Sequence, residues 1–580
     1  MGFLRRPRNV ATANRWAVPA AGTGVLFVTV DPMTDATART AAHDAAVNPS
    51  ALDRACDAYM DDLARLVPTA ATAFGVPGFD HELEDYSPEF HAAVADRTKQ
   101  LYDIAAGALA SGECEGQPLD GVDVVTAQAL VDRLGVELEL AEMGEDLRAL
   151  NNLASPLQTI RDTMLLMPTD TPEQKEAVAS RMAKIPRALA GYRQSLELAA
   201  SRGQVAAARQ IGEVVTQLRD LVGPESMFSD PQAQAACEEL ATWLETTLLP
   251  QAPTADGVGR ERYEVFSRQF VGAAVDLDEA YEWGAEQLAR IAAEQDAIAT
   301  DLYGAGVTAQ EACRRLDAEE RYTLHGVEAL QEWMQCTADQ AIADLGGTHF
   351  DIDPRVRTIE CLIDPAGTGG IFYTPPSDDF TRPGRMWWSV PKGEDTFHTW
   401  QELTTVYHEG VPGHHLQLGA TMCNQNELNT WRRLACWNSG HGEGWALYAE
   451  ALMDELGYHA DPGTRMGMLD AQRLRAARVL IDIGVHLGKP TPEGGQWTYE
   501  YADEFFARNV VMAAPNRRFE LHRYFGWPGQ APSYALGQRL WQDLRRDAEA
   551  AGMSTRAFHA AALAPGSLPM GILRDVVLGG

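Results

Sequence analysis

The stretch TTVYHEGVPGHHLQ, Thr404–Gln417, carries His408, Glu409, His414 and His415 within eight positions. Downstream, GHGEGWALYAE, Gly440–Glu450, adds Glu443 and Glu450. Imidazoles beside one carboxylate, followed by another carboxylate on a later element, make the donor set of a catalytic zinc ion. Two neutral histidines and a glutamate hold the metal and leave one position for water. A further glutamate that is not a ligand takes the water's proton. The residues therefore predict a zinc hydrolase holding one zinc per chain, and a peptidase in particular.

The spacing departs from the usual His-Glu-x-x-His, in which histidines four apart share a helix face. His408 and His414 are six apart, and at about 100° per residue a regular helix turns the second ring away. His415, seven apart, returns to the same face but roughly 10 Å further along the axis. Pro412 supplies a break, since it has no N–H for the His408 carbonyl and its ring clashes there. Gly410 and Gly413 flank it and tolerate unusual dihedrals. A helix broken at 410–413 brings His414 back toward the metal. His414 is the favoured second ligand and His415 the alternative, otherwise placed behind the ligands or toward substrate. Glu450, two turns beyond Glu443 on the same face, is too far along to share the ion and is expected to support a ligand from behind.

The motifs His-Glu-Gly-Val-Pro-Gly-His-His-Leu-Gln and Glu-Gly-Trp-Ala-Leu-Tyr-Ala-Glu resemble the two signatures of the bacterial family called domain of unknown function 885. A third segment, RYFGWPGQAPSYALG, Arg523–Gly537, is similar to that family's C-terminal pattern. The resemblance extends over about residues 50–580, and the family is grouped with the glutamate-liganded zinc peptidases. More distantly it is similar to thimet oligopeptidase and angiotensin-converting enzyme. It implies a mainly α, two-lobed helical clamshell with a deep cleft and a small β-sheet beside the zinc helix. It also implies His408, His414 and Glu443 as ligands and Glu409 as the base.

The rest of the chain fits a large enzyme. Its 580 residues exceed a typical single domain, and 45% hydrophobic content is ample for a core. A net charge of −34, from 82 acidic and 48 basic residues, argues against nucleic acid and anionic membranes as partners. Eight scattered cysteines without a Cys-x-x-Cys pair read as thiols of a reducing compartment, so a cytoplasmic location is expected. No apolar run reaches the roughly 18 residues a membrane helix needs. Residues 1–45 read as a disordered tail or an over-extended gene start. Export through a poor signal, with Arg5, Arg6 and Arg8 ahead of Ala17–Val30, is the alternative.

Helical periodicity dominates the body, with caps at Thr171–Gln174, Asp276–Glu279 and Thr308–Glu311. Residues 46–270 are expected to form an N-terminal helical lobe. Residues 271–580 are expected to form the zinc-site lobe, with C-terminal helices closing the cleft. Between about 348 and 391 the texture turns to short β-branched and aromatic runs separated by Pro/Gly turns, which predicts a small sheet. By resemblance, Gly384–Val390 is its substrate-pairing edge strand, with Trp387 or Trp388 facing the cleft. In the C-terminal segment Tyr534 is the candidate oxyanion donor. Arg523 is the candidate for a substrate carboxylate, and His522 is a second donor. Each has a plainer reading as a packing or ion-pair residue. The expected reaction is hydrolysis of short peptides, the alternative a metal-dependent hydrolase or lyase acting on a small non-peptide amide or metabolite.

Overall fold

Helix starts follow side chains that the sequence announces. The Thr171 hydroxyl accepts the Gln174 N–H, and the Gln174 side chain caps back to the Thr171 backbone, opening Pro172–Met182. Asp276 accepts the N–H groups of Asp278 and Glu279 and opens Leu277–Tyr303, while Thr308 accepts that of Glu311 and opens Ala309–Asp317. The structure is a computed structural model that describes residues 49–579 apart from 224–225, 365–369 and 378. The tail expected at 1–45 lies outside the described residues. Among the described residues the chain is mainly helical, with three small sheets and no barrel. No described helix is long and apolar enough to cross a membrane.

The hydrophobic cores do not divide at residue 270. Leu52, Leu101 and Leu130 share a core with Trp445, Trp541 and Phe558. The first long helices, Ala51–Leu66, Pro88–Ser111 and Gly121–Glu142, therefore pack with the C-terminal elements. A separate core, including Leu157, Ile185, Ile211 and Leu240, closes within the first half of the chain. An amphipathic helix joins whichever apolar face completes its own, whatever the distance along the chain.

The largest sheet corrects an expectation. Its order is Ile359–Asp364, Gly384–Ser389, Ile371–Thr374. The strand expected at the edge is in the middle, parallel to the first neighbour (Ile359 opposite Gly384) and antiparallel to the second (Ile371 opposite Trp388). Both its sides are committed to ladder bonds, so it cannot add a substrate strand. Alternation along the strand sends Met386 and Trp388 into a core with Leu330, Met334 and Val406. Trp388 is 4% exposed and is a packing residue. Trp387 takes the other face, stacked on Phe372 with centroids 6.1 Å apart, and its indole N–H donates to Thr374 Oγ1 at 3.0 Å.

Two helices frame the site behind this sheet. Ser439–Glu455 and Ser533–Ala550 meet through glycines. A Cβ on Gly444 would stand 2.5 Å from the Gly537 carbonyl carbon, and one on Gly537 would stand 2.2 Å from the Gly440 oxygen. The helices touch backbone to backbone, an approach only small residues permit. Tyr534, one turn before Gly537, is thereby brought close enough to Glu443 to feel its charge.

Candidate metal centre

The helix Thr399–Glu409 ends at Glu409 and a new one starts at His414, running to Cys423. Between them the Gly413 N–H reaches back to the Tyr407 carbonyl at 3.0 Å and the His415 N–H to that of Gly410 at 3.1 Å. The break expected at 410–413 is thus a full stop and restart, and the Val411–Pro412 bond is cis. Gly413 is obligatory, because a Cβ there would lie 1.8 Å from the His408 oxygen. From the opposite helix the Trp445 indole N–H is shared between the Pro412 and Gly413 carbonyls at 3.0 and 3.1 Å.

This turn sets the His408 and His414 rings perpendicular, with centroids 5.1 Å apart. Each presents the same nitrogen inward. His408 Nδ1 lies 2.7 Å from Glu450 Oε1 and His414 Nδ1 lies 3.2 Å from Gln417 Oε1. Both acceptors fix the proton on Nδ1, which frees the Nε2 lone pairs. Those two Nε2 atoms face one oxygen, Glu443 Oε2, at 3.4 and 3.7 Å. Neighbouring ligand atoms around a tetrahedral zinc are separated by about 3.4 Å, given metal–ligand bonds of about 2.0–2.2 Å. Glu409 brings a carboxylate oxygen within 4.8 Å of both imidazoles, and all three of these residues are buried.

The electrostatics describe a place for a cation. Burial disfavours a charged His408, but hydrogen bonds with Glu443 and Glu450 outweigh it and hold the imidazole up at about 10. Burial likewise opposes ionisation of Glu443, yet the two imidazoles hold its carboxyl far below the ordinary range. Glu450 is also held down against its burial, first by His408. Glu409 differs, because burial pushes its carboxyl up and the neighbouring histidines only partly offset that.

His415 is turned away from this group. Its Nε2 must donate to the Val356 carbonyl at 2.8 Å, so its bare Nδ1 accepts from the Tyr373 hydroxyl, also at 2.8 Å. Burial keeps the ring neutral, its pKa lowered to about 4. His415 ties the second motif helix to the sheet.

The C-terminal candidates separate. Tyr534 is half-buried, and its ring has the guanidiniums of Arg478 and Arg523 at 4.8 and 5.8 Å. Arg523 is buried and bound to its own chain. Its Nη2 donates to Gln530 Oε1 at 2.5 Å and its Nη1 to Glu520 Oε1 at 3.4 Å. Arg478, which no motif in the sequence marks, also binds Glu520, at 2.9 Å. His522 points elsewhere, its Nδ1 3.2 Å from Glu213 and its ring edge on Tyr499. Thr404, Gln417 and Trp445 also take part in the site, through Glu450, His414 and the turn at 412–413. Gln417 stands one helical turn from His414, which it touches, and Thr404 one turn from His408, whose partner Glu450 it holds; that spacing is the signal in the sequence.

The comparisons agree with the motifs. The family model described as "Bacterial protein of unknown function (DUF885)" matches residues 68–577. The chain belongs to this family. The match spans every site residue from His408 to Tyr534. Among solved structures, a "putative lipoprotein" from Colwellia psychrerythraea superposes with a TM-score of 0.76 at 22% identity, over 92% of this chain and 99% of that one. A "putative lipoprotein of unknown function" from Shewanella oneidensis gives 0.69 at 17% identity, over 91% and 99%. At these identities they share the DUF885 chain's fold. None of the curated proteins matches it.

Proposed function

We propose that the protein is a zinc-dependent hydrolase that cleaves peptide bonds of short peptides. One observation carries the reading. Two imidazoles, each with its Nδ1 proton pinned by a partner, aim their Nε2 lone pairs at a single Glu443 oxygen, with a dehydrated Glu409 beside them. His408, His414 and Glu443 would hold the ion, and the donor set of two nitrogens and a carboxylate suits zinc. When bound, zinc supplies a Lewis acid and a water acidified to a pKa of about 7.

The chain's own groups do the remaining work. Glu409 accepts a proton on its carboxylate and returns it to the leaving amine, a task suited to an acid pushed up by burial. Glu450 and Gln417 keep the imidazoles in one tautomer throughout. Tyr534 presents a hydroxyl to the oxygen on which charge develops. Arg478 and Arg523, sharing the one carboxylate of Glu520, leave a surplus positive charge behind its ring.

The test is a peptide-library digest with zinc-loaded protein and its Glu409→Gln variant. Cleavage by the first and none by the second supports the proposal. Turnover of small amides with every peptide left intact would reject peptides and keep the hydrolase. The eight cysteines, none in a disulfide, favour a cytoplasmic site of action, whereas the lipoprotein descriptions of the two relatives favour export. Mass determination of the natural N-terminus decides between them.

A further inference from the structure

Away from the histidines, the helices Pro88–Ser111, Gly121–Glu142 and Arg260–Val271 and the segment 525–528 enclose a cavity of about 400 Å³. Its wall is largely apolar, with Phe74, Phe90, Leu140, Phe266 and Trp527 among the contributors. The size is that of a small-molecule site. It lies one helix from the candidate metal centre. Phe270 is in its wall, and the carbonyl of the next residue, Val271, abuts Gly440 at the start of the helix that carries Glu443.

One carboxylate in that wall has nothing to bind. Glu137 is exposed by surface area, yet dehydration by its surroundings pushes its carboxyl up to about 7. That combination belongs to a group facing an internal cavity rather than bulk solvent. Arg133, one turn back, does not neutralise it. Its guanidinium donates to the carbonyls of Gln269 and Arg268 at 2.7 and 3.1 Å and to Asp132 at 2.7 Å.

The other acids of the wall are matched. Glu84 takes the Tyr86 hydroxyl at 2.9 Å and also that of Thr69. Glu145 is held by Arg148 at 2.9 Å and Arg262 at 2.6 Å. Asp256 faces Arg209 at 3.2 Å, and Asp146 faces His91 at 3.8 Å. Among the described residues, Glu137 is the acid of this cavity left without a hydrogen bond or ion pair. A carboxylate set in an apolar wall selects a ligand that brings its own positive charge and a hydrophobic body to fill the space.

We propose that this cavity binds an apolar molecule carrying a protonated amine, with the ammonium seated on Glu137. Two sources share that chemistry, a small free amine and the amino terminus of a peptide. The site does not depend on the metal.

Calorimetric titration of the full chain tests it, in the Glu409→Gln background so that peptides stay uncut. The probes are phenethylamine, the tripeptide Phe-Leu-Ala and its N-acetylated form. Binding of phenethylamine marks a small-amine site, and binding of the tripeptide alone marks a site for peptide termini. Where the tripeptide binds, its acetylation should abolish binding, and in either case adding Glu137→Gln should weaken binding by at least about tenfold, the usual effect of losing one hydrogen bond to a charged group. Ala141→Phe, which fills the cavity, should weaken all probes, and circular dichroism confirms that each variant is folded. Stripping zinc with a chelator should change nothing, which separates this site from the proposed catalytic one. Binding of the acetylated tripeptide as tight as that of the free one, unchanged binding in Glu137→Gln, or no heat from either amine at millimolar concentration overturns the proposal.

Discussion

Glu443 and Glu450 bracket one imidazole. Glu443 Oε2 stands 3.4 Å from His408 Nε2, and Glu450 Oε1 stands 2.7 Å from His408 Nδ1. Two turns of a single helix thus place one carboxylate at each end of the ring, and the Thr404 hydroxyl fixes the second Glu450 oxygen at 2.5 Å.

Glu450 should therefore act on the metal without touching it. Glu450→Gln is expected to lower zinc affinity about 10–100-fold, the usual effect of losing a ligand's outer partner. Thr404→Val should act in the same direction and less strongly. Competition with a chromogenic chelator measures both, and an unchanged affinity in Glu450→Gln would falsify the bracketing role.

The ligand set is testable one residue at a time. Purified protein should carry about one zinc per chain, and alanine at His408, His414 or Glu443 should strip it. His415→Ala should keep zinc but destabilise the fold by about 2–4 kcal/mol, because the Tyr373 hydroxyl and the Val356 carbonyl lose a buried partner. Elemental analysis with urea unfolding reads the two effects apart. Zinc lost from the His415 variant and kept by the His414 variant reverses the assignment.

Glu409→Gln keeps the shape and removes the proton acceptor. Metal content should hold while turnover falls about 10²–10⁴-fold. Retained turnover at constant zinc would assign the base elsewhere.

Gly413→Ala removes no donor, yet it should disable the site. The added carbon would overlap the His408 carbonyl, from which it would lie 1.8 Å, so the turn must open at a cost of about 3 kcal/mol. Zinc content and melting temperature should fall together, whereas Gly495→Ala, where the nearest atom is 3.4 Å away, should leave zinc intact.

The cluster behind Tyr534 predicts an acid limb. Burial opposes ionisation of Glu520, but Arg478 and Arg523 hold its carboxyl down at about 2 from an ordinary 4.5. A depressed folded-state value stabilises above the unfolded one. The contribution, about 3 kcal/mol, should be complete above pH 4.5 and fade as the pH falls toward 2. Urea melts across that range should be steeper in pH for the wild type than for Glu520→Gln.

What the sequence disclosed was local. Pro412 between two glycines announced the break, and Thr171, Asp276 and Thr308 announced helix starts, because each acts on backbone a few residues away. The aromatic texture around Gly384–Val390 was also legible as a strand, but composition says nothing of which strand lies beside which or which of two adjacent tryptophans faces inward. The strand read as an edge is therefore central, and Trp388 lies in the core. Arg478 and Glu137 take their significance from residues far along the chain, and Glu137 from empty space, which leaves no trace in spacing.

The shared Trp445 hydrogen bond makes the two motifs a lock and its key. A regular His-Glu-x-x-His helix grafted between residues 404 and 417 would restore the familiar spacing but remove both carbonyls that the indole holds. The large ring would then be stranded with a buried N–H and no acceptor. Conversion of this scaffold to the common zinc motif, by selection or by design, thus requires position 445 to change in the same step.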